Sequence, residues 1–172
     1  PEPEPEPEPF RSHSDMLGRL LQRGHKPRVL GHTPDHEPLV VIECGGDKMP
    51  PILISAGAHS TEQAGVSAAV ELADELQTEH RVYILPCRDP MGMNGFNHVL
   101  SLGLGGVLPE LSTVDEAAAV LREKGDVLWD KGGRLLALLG DHAYTVLQGA
   151  GDEKGSFIPT DSWTDWESLR PA

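Results

Sequence analysis

The sequence predicts an α/β fold, a mixed sheet with crossover helices, on three observations. Apolar runs of strand length alternate with amphipathic stretches of helical period between residues 28 and 86, the signature of strands joined by crossovers. Arg28-Val-Leu-Gly-His32 and Leu39-Val-Val-Ile-Glu-Cys44 flank the Pro-containing turn Thr33 to Pro38 and read as a hairpin. Ile52-Leu-Ile-Ser55 runs through Ala56-Gly57-Ala58 into an alanine-rich amphipathic segment, the pattern of a buried strand, a sharp turn and a helix.

Taken in order, residues 1–11 open with Pro-Glu repeats, in which proline removes donors and like charges repel, so a disordered, extended tail is expected. The 172 residues suit a single domain behind it, 12–172. A first helix is expected from Ser14, as cap, to Arg23, with Met16, Leu17, Leu20 and Leu21 on one stripe. After the hairpin, Ser60 with Gln63 matches a capping box and starts a helix to about Gln77. His80-Arg-Val-Tyr-Ile-Leu-Pro86 is the next strand, and Cys87 to His98 a Pro/Gly loop at its end. Leu100 to Leu111 reads as a Gly/Leu-rich loop, and its glycines do not match a phosphate-binding pattern. Thr113 with Glu116 is a second capping box, opening a helix to about Lys124. Gly149 to Gly155 reads as a flexible loop, and the Trp-containing segment Thr160 to Arg170 as a short docking helix.

Composition excludes several classes of function. At 38% hydrophobic and 24% charged the chain is a globular one with a core. A net charge of -13 without a Lys/Arg cluster argues against nucleic acid, whose phosphates require counterion-releasing cations. No apolar run approaches the roughly 18 residues of a membrane span, and no signal peptide is recognisable. Cys44 and Cys87 lie in apolar segments and read as two buried thiols, which leans toward a reducing, cytoplasmic interior.

The candidate site follows from the strand, turn and helix around Gly57. That setting puts the His59 imidazole and the Glu62 carboxylate together at the carboxyl end of a strand, where α/β sheets place ligands. Three residues of near-helical backbone bring both heads to one side, so one cation can be held by a nitrogen and one or two oxygens, half of a zinc site. The same residues also read as a solvated helix N-terminus with a carboxylate favoured by the dipole.

Residues 28–98, with their two-strand lead-in, Ile52-L-I-S-A-G-A-H-S-T-E-Q-A-G65 and Val82-Y-I-L-P-C-R-D-P-M-G92, resemble the amino-terminal half of the zinc metallocarboxypeptidase family, which includes the succinylglutamate desuccinylase and aspartoacylase type of deacylase. The family's second motif, Pro-x-x-Asn-Pro-Asp-Gly, stands here as Pro86-x-x-Asp89-Pro90-Met91-Gly92. The resemblance implies a carboxypeptidase-like fold and Zn2+ as cofactor, with His59 and Glu62 as two of its ligands and a later histidine as the third. His98 and His142 are the candidates for the third, and His142 is preferred, with Asp141 as an orienting carboxylate. The run Leu135 to Tyr144 around it fits a strand end or a helix equally. The family's oxyanion arginine and Asn-Arg dipeptide have no counterpart, which leaves Arg88 as the candidate catalytic guanidinium.

The resemblance implies a zinc metallopeptidase that cleaves a peptide or amide bond with a metal-activated water, acting on a peptide or an N-acyl amino acid. The alternative is a non-catalytic carboxypeptidase-like domain that binds a peptide or protein partner. No nucleic-acid or membrane partner is expected. The incomplete motif set suggests an incomplete domain, with the remainder of a longer chain as a possible partner.

Overall fold

The structure, a computed structural model, describes residues 8–59, 62–148 and the backbone of 156–159. Most of the expected tail, the Ser60 cap, the loop from Gly149 and the Trp-containing segment lie outside those residues. The chain divides into two compact units, Pro1–Met93 and Asn94–Ala172.

The first unit begins with α1 (His13–Gln22), whose N-cap is Ser12 and not the expected Ser14. The Ser12 hydroxyl accepts the Asp15 N–H at 3.1 Å, the bond that selects a cap. Met16 and Leu20 are fully buried, whereas Leu21 is exposed, so the stripe is narrower than four residues. Phe10, counted with the tail on sequence grounds, is buried with the Arg19 guanidinium 4.8 Å above its ring.

Four strands follow: β1 (Arg28–His32), β2 (Pro38–Gly45), β3 (Lys48–Ser55) and, after α2 (Gln63–Glu75), β4 (His80–Leu85). Their order in the sheet is β1-β2-β4-β3. β1 and β4 each pair antiparallel with β2, and β3 pairs parallel with β4, so the sheet is mixed and α2 is its crossover. The core gathers Met16, Leu20, Ile42, Val66, Val70, Val82 and Ile84 from α1, α2 and the two central strands.

Two expectations need correction here. The helix after the site begins at Gln63 with Glu62 as its N-cap residue, later than a Ser60 start, and ends at Glu75. β3, expected to be buried, is an edge strand, with Ile52 43% and Leu53 66% exposed. Pro50 and Pro51 carry no N–H for a second ladder, which suits an edge position.

The second unit contains α3 (Phe96–Gly103), then α4 (Val114–Lys124) and the antiparallel strands β5 (Asp126–Lys131), β6 (Arg134–Leu139), β7 (His142–Leu147) and β8 (Ser156–Pro159), in the order β5-β6-β7-β8. A short 3-10 turn, Gly92–Asn94, precedes α3 in the chain. α3 replaces the end of the loop expected over Cys87 to His98 and the start of the one expected over Leu100 to Leu111, because its apolar face buries Val99 and Leu100. The α4 capping box forms in both directions, with the Thr113 hydroxyl accepting the Glu116 N–H at 3.2 Å and the Glu116 carboxylate accepting the Thr113 N–H at 3.0 Å. The buried Tyr144 hydroxyl donates to the Val99 carbonyl at 3.0 Å and accepts the Gly103 N–H at 3.1 Å, fastening β7 to α3. Among the described residues no helix is long and apolar enough to cross a membrane.

Candidate metal centre

The parallel pair β3–β4 sets up the site. Ser55 is paired with Leu85 at the carboxyl ends of the two strands, and the Ala56 N–H extends the ladder by donating to the Leu85 carbonyl at 2.9 Å. Both chains leave the sheet at the same rim, β3 toward His59 and Glu62 and β4 toward Arg88 and Asp89. The Arg88 N–H ties the two exits together by donating to the carbonyls of Ala56 at 3.2 Å and Gly57 at 3.0 Å.

On this rim the two side chains meet. His59 Nδ1 lies 3.1 Å from Glu62 Oε1, and the other carboxylate oxygen, Oε2, accepts the His59 N–H at 3.2 Å. The Glu62 N–H in turn donates to the His59 carbonyl at 3.0 Å, which closes the turn on itself. Both heads are about half exposed, at 45% and 48%. The hydrogen bond from the His59 ring, followed by that from the His59 amide, holds the Glu62 carboxyl below its ordinary range. The carboxylate is therefore ionised at neutral pH, the form that binds a cation.

Zinc is the metal that the resemblance implies, and this donor pair fits half of its requirement. Ligands each about 2.0 to 2.2 Å from a shared ion in tetrahedral geometry lie a little over 3 Å apart, comparable to the Nδ1 to Oε1 separation. A cation held by the two heads would replace the hydrogen bond between them. Within the described part of the first unit no third His, Cys, Asp or Glu joins them, and no cluster of three or more such side chains occurs among the described residues.

The other predicted residues fall as follows. Arg88 is exposed on the loop after β4, and its backbone, not its side chain, makes the contacts with the turn. His142 belongs to the second unit, where it opens β7 opposite Leu139 across the two-residue turn Gly140-Asp141. It is half-buried with its ring centroid 6.5 Å from that of Tyr144. The run before it is thus a hairpin, not a helix, and the reading of His142 as a third donor rests on sequence alone. His98 is in α3. Cys87 is buried as expected, and burial pushes its thiol up to about 12, so it is neither nucleophile nor anion at neutral pH. Cys44 is only half-buried.

Two residues of the sequence motifs, Asp89 and Gly57, have contacts in the site that the sequence alone did not give. Asp89 folds back on its own loop, its carboxylate accepting the Gly92 N–H at 2.9 Å, and a Cβ at Gly92 would lie 2.1 Å from its Oδ2. Asp-Pro-x-Gly is a turn signature of Asp and Pro, and it was the available signal. Gly57 is the other, and its contacts are with residues distant in sequence.

No protein-family profile and no curated protein matches the sequence. Among solved structures, the chain is similar to a presumed metallopeptidase from Shewanella amazonensis at 28% identity and TM-score 0.38, over 48% of this chain and 33% of that one. A presumed metallopeptidase from Shewanella denitrificans gives 24% identity and TM-score 0.37 over the same shares. Thrombin activatable fibrinolysis inhibitor gives 14% identity and TM-score 0.39, over 49% of this chain and 27% of that one. The chain spans about a third of the length of the two Shewanella proteins. Likeness at this level says nothing of substrate or activity.

Proposed function

We propose that this chain carries part of the metal centre of a zinc-dependent hydrolase that cleaves a peptide or amide bond in the manner of a carboxypeptidase. The observation that carries the reading is the convergence of the His59 imidazole and the ionised Glu62 carboxylate at the carboxyl end of a parallel strand. Zinc, when bound, lowers the pKa of a coordinated water toward about 7 and so supplies hydroxide near neutrality. His59 would contribute a ring nitrogen, and Glu62 a carboxylate whose charge offsets part of the cation's. Arg88, on the neighbouring loop, offers a planar donor fork suited to an anionic group of the substrate. Deacylation of a small N-acyl amino acid uses the same chemistry and is the narrower substrate choice within this reading.

A second reading is a non-catalytic domain of the same kind that binds an extended peptide or protein. The observation in its favour is β3, an outermost strand in its sheet with exposed Met49, Ile52 and Leu53, since such edges pair with added strands. Metal analysis after dialysis against zinc separates the two. Roughly one zinc per chain, lost in Glu62→Ala, is expected for the hydrolase. Absence of zinc from both forms would favour the binding domain.

A further inference from the structure

At Gly57 the turn after β3, the helix α2 and the chain beyond β4 come close together. Its backbone takes φ +56°, a left-handed conformation that side chains disfavour. A Cβ built there would lie 2.7 Å from Val66 Cγ2 on α2, 3.1 Å from Cys87 Cα and 3.2 Å from the Pro86 carbonyl oxygen beyond β4. The first of those contacts is on the helix that Glu62 caps, and Val66 is fully buried, so it has no room to yield. The other two are on the backbone that carries the Arg88 N–H, which donates to the Gly57 carbonyl itself. Two residues further on stands His59.

From this geometry we propose that Gly57 is a positioning residue for the His59–Glu62 pair, because the absence of a side chain lets the turn seat between the helix that carries the carboxylate and the end of β4. The inference rests on the reading of the pair as metal ligands. A methyl group at residue 57 has to push α2 or the Cys87 backbone away, and either movement shifts the cap of α2 relative to the imidazole. Gly65 provides a matched contrast in the same region. It lies within α2, and a Cβ there meets only the Gly57 nitrogen, at 4.0 Å, an ordinary contact.

The test is cobalt(II) binding by the wild-type chain, Gly57→Ala and Gly65→Ala, read by affinity and by the visible absorption of the bound ion, with circular dichroism to confirm folding. The visible spectrum reports ligand geometry, which a purely structural loss in the folded fraction would leave unchanged. Folded Gly57→Ala is expected to bind about tenfold more weakly or worse, as when a group that orients ligands is lost, and with an altered spectrum. Gly65→Ala is expected to match the wild type. Folded Gly57→Ala with wild-type affinity and spectrum overturns the positioning role and leaves the metal reading standing. A wild-type chain that binds no cobalt overturns both. Should Gly57→Ala not fold, Val66→Ala removes the 2.7 Å clash but leaves the left-handed φ of +56° and the contacts with Cys87 Cα and the Pro86 carbonyl oxygen, so Gly57→Ala/Val66→Ala is still expected to bind about tenfold more weakly than Val66→Ala alone. Equal affinity of those two overturns the proposal.

Discussion

The mixed sheet of the first unit and the antiparallel meander of the second are each four strands wide, and they put their charged side chains to different use. In the first, two parallel strands end on one rim and their exits bring an imidazole and a carboxylate within 3.1 Å. In the second, β5 returns to β6 through Gly132-Gly133 and β6 to β7 through Gly140-Asp141. Turns of two residues have no length in which to gather side chains. Charges there tie elements together instead, as in the fork of Arg122 on Asp130, with hydrogen bonds of 2.7 and 3.1 Å between α4 and β5. The contrast teaches that polar heads converge in this chain where strands are parallel, since a parallel partner obliges the chain to leave the sheet by a long exit.

The sharpest way to break that contrast is to disturb the sheet beneath the rim. Ile84 is fully buried on β4, and Ile84→Ala is expected to cost about 2 to 5 kcal/mol in denaturant unfolding, with loss of zinc binding. A cost below about 1 kcal/mol would mean that β4 is not the packed centre of the unit. In the second unit, Tyr144→Phe removes two hydrogen bonds, each worth about 0.5 to 1.5 kcal/mol, so about 1 to 3 kcal/mol should be lost. An unchanged unfolding curve would show that the hydroxyl does not fasten β7 to α3.

A smaller effect should appear as a pH dependence in the first unit. Burial raises the Asp74 carboxyl, but hydrogen bonds from His25, at 2.6 Å, and from Arg23 outweigh it and hold the group below its ordinary value of 3.8. The folded state therefore binds this proton less readily than the unfolded state. The resulting stability is present above the ordinary value and is lost as pH falls through the lowered one. Thermal unfolding between about pH 2 and 7 should show a shallower acid decline for Asp74→Asn than for the wild type. Parallel declines would exclude Asp74 as a contributor.

How much of this was legible depended on the range of the interactions. The α4 capping box was readable in full because Thr113 and Glu116 are three residues apart and satisfy each other. The meeting of His59 and Glu62 was legible for the same local reason. The exposure of β3 was not, because Ile-Leu-Ile looks alike in central and edge strands, although Pro50-Pro51 was a signal for the edge. The hairpin before His142 was open to a helical reading because its leucines suit both, and Gly140-Asp141 was the overlooked turn signal. The tight seat of Gly57 could not be read at all, since it depends on how closely Val66 and Cys87 approach once the chain has folded.

The most direct measurement of the central claim is zinc-edge X-ray absorption on the zinc-loaded chain, with and without His59→Ala. The expected first shell contains an imidazole nitrogen and carboxylate oxygen at about 2.0 to 2.2 Å, with the imidazole scattering diminished in His59→Ala. A shell without imidazole, or one that His59→Ala leaves unchanged, would contradict the assignment of the rim as a metal centre.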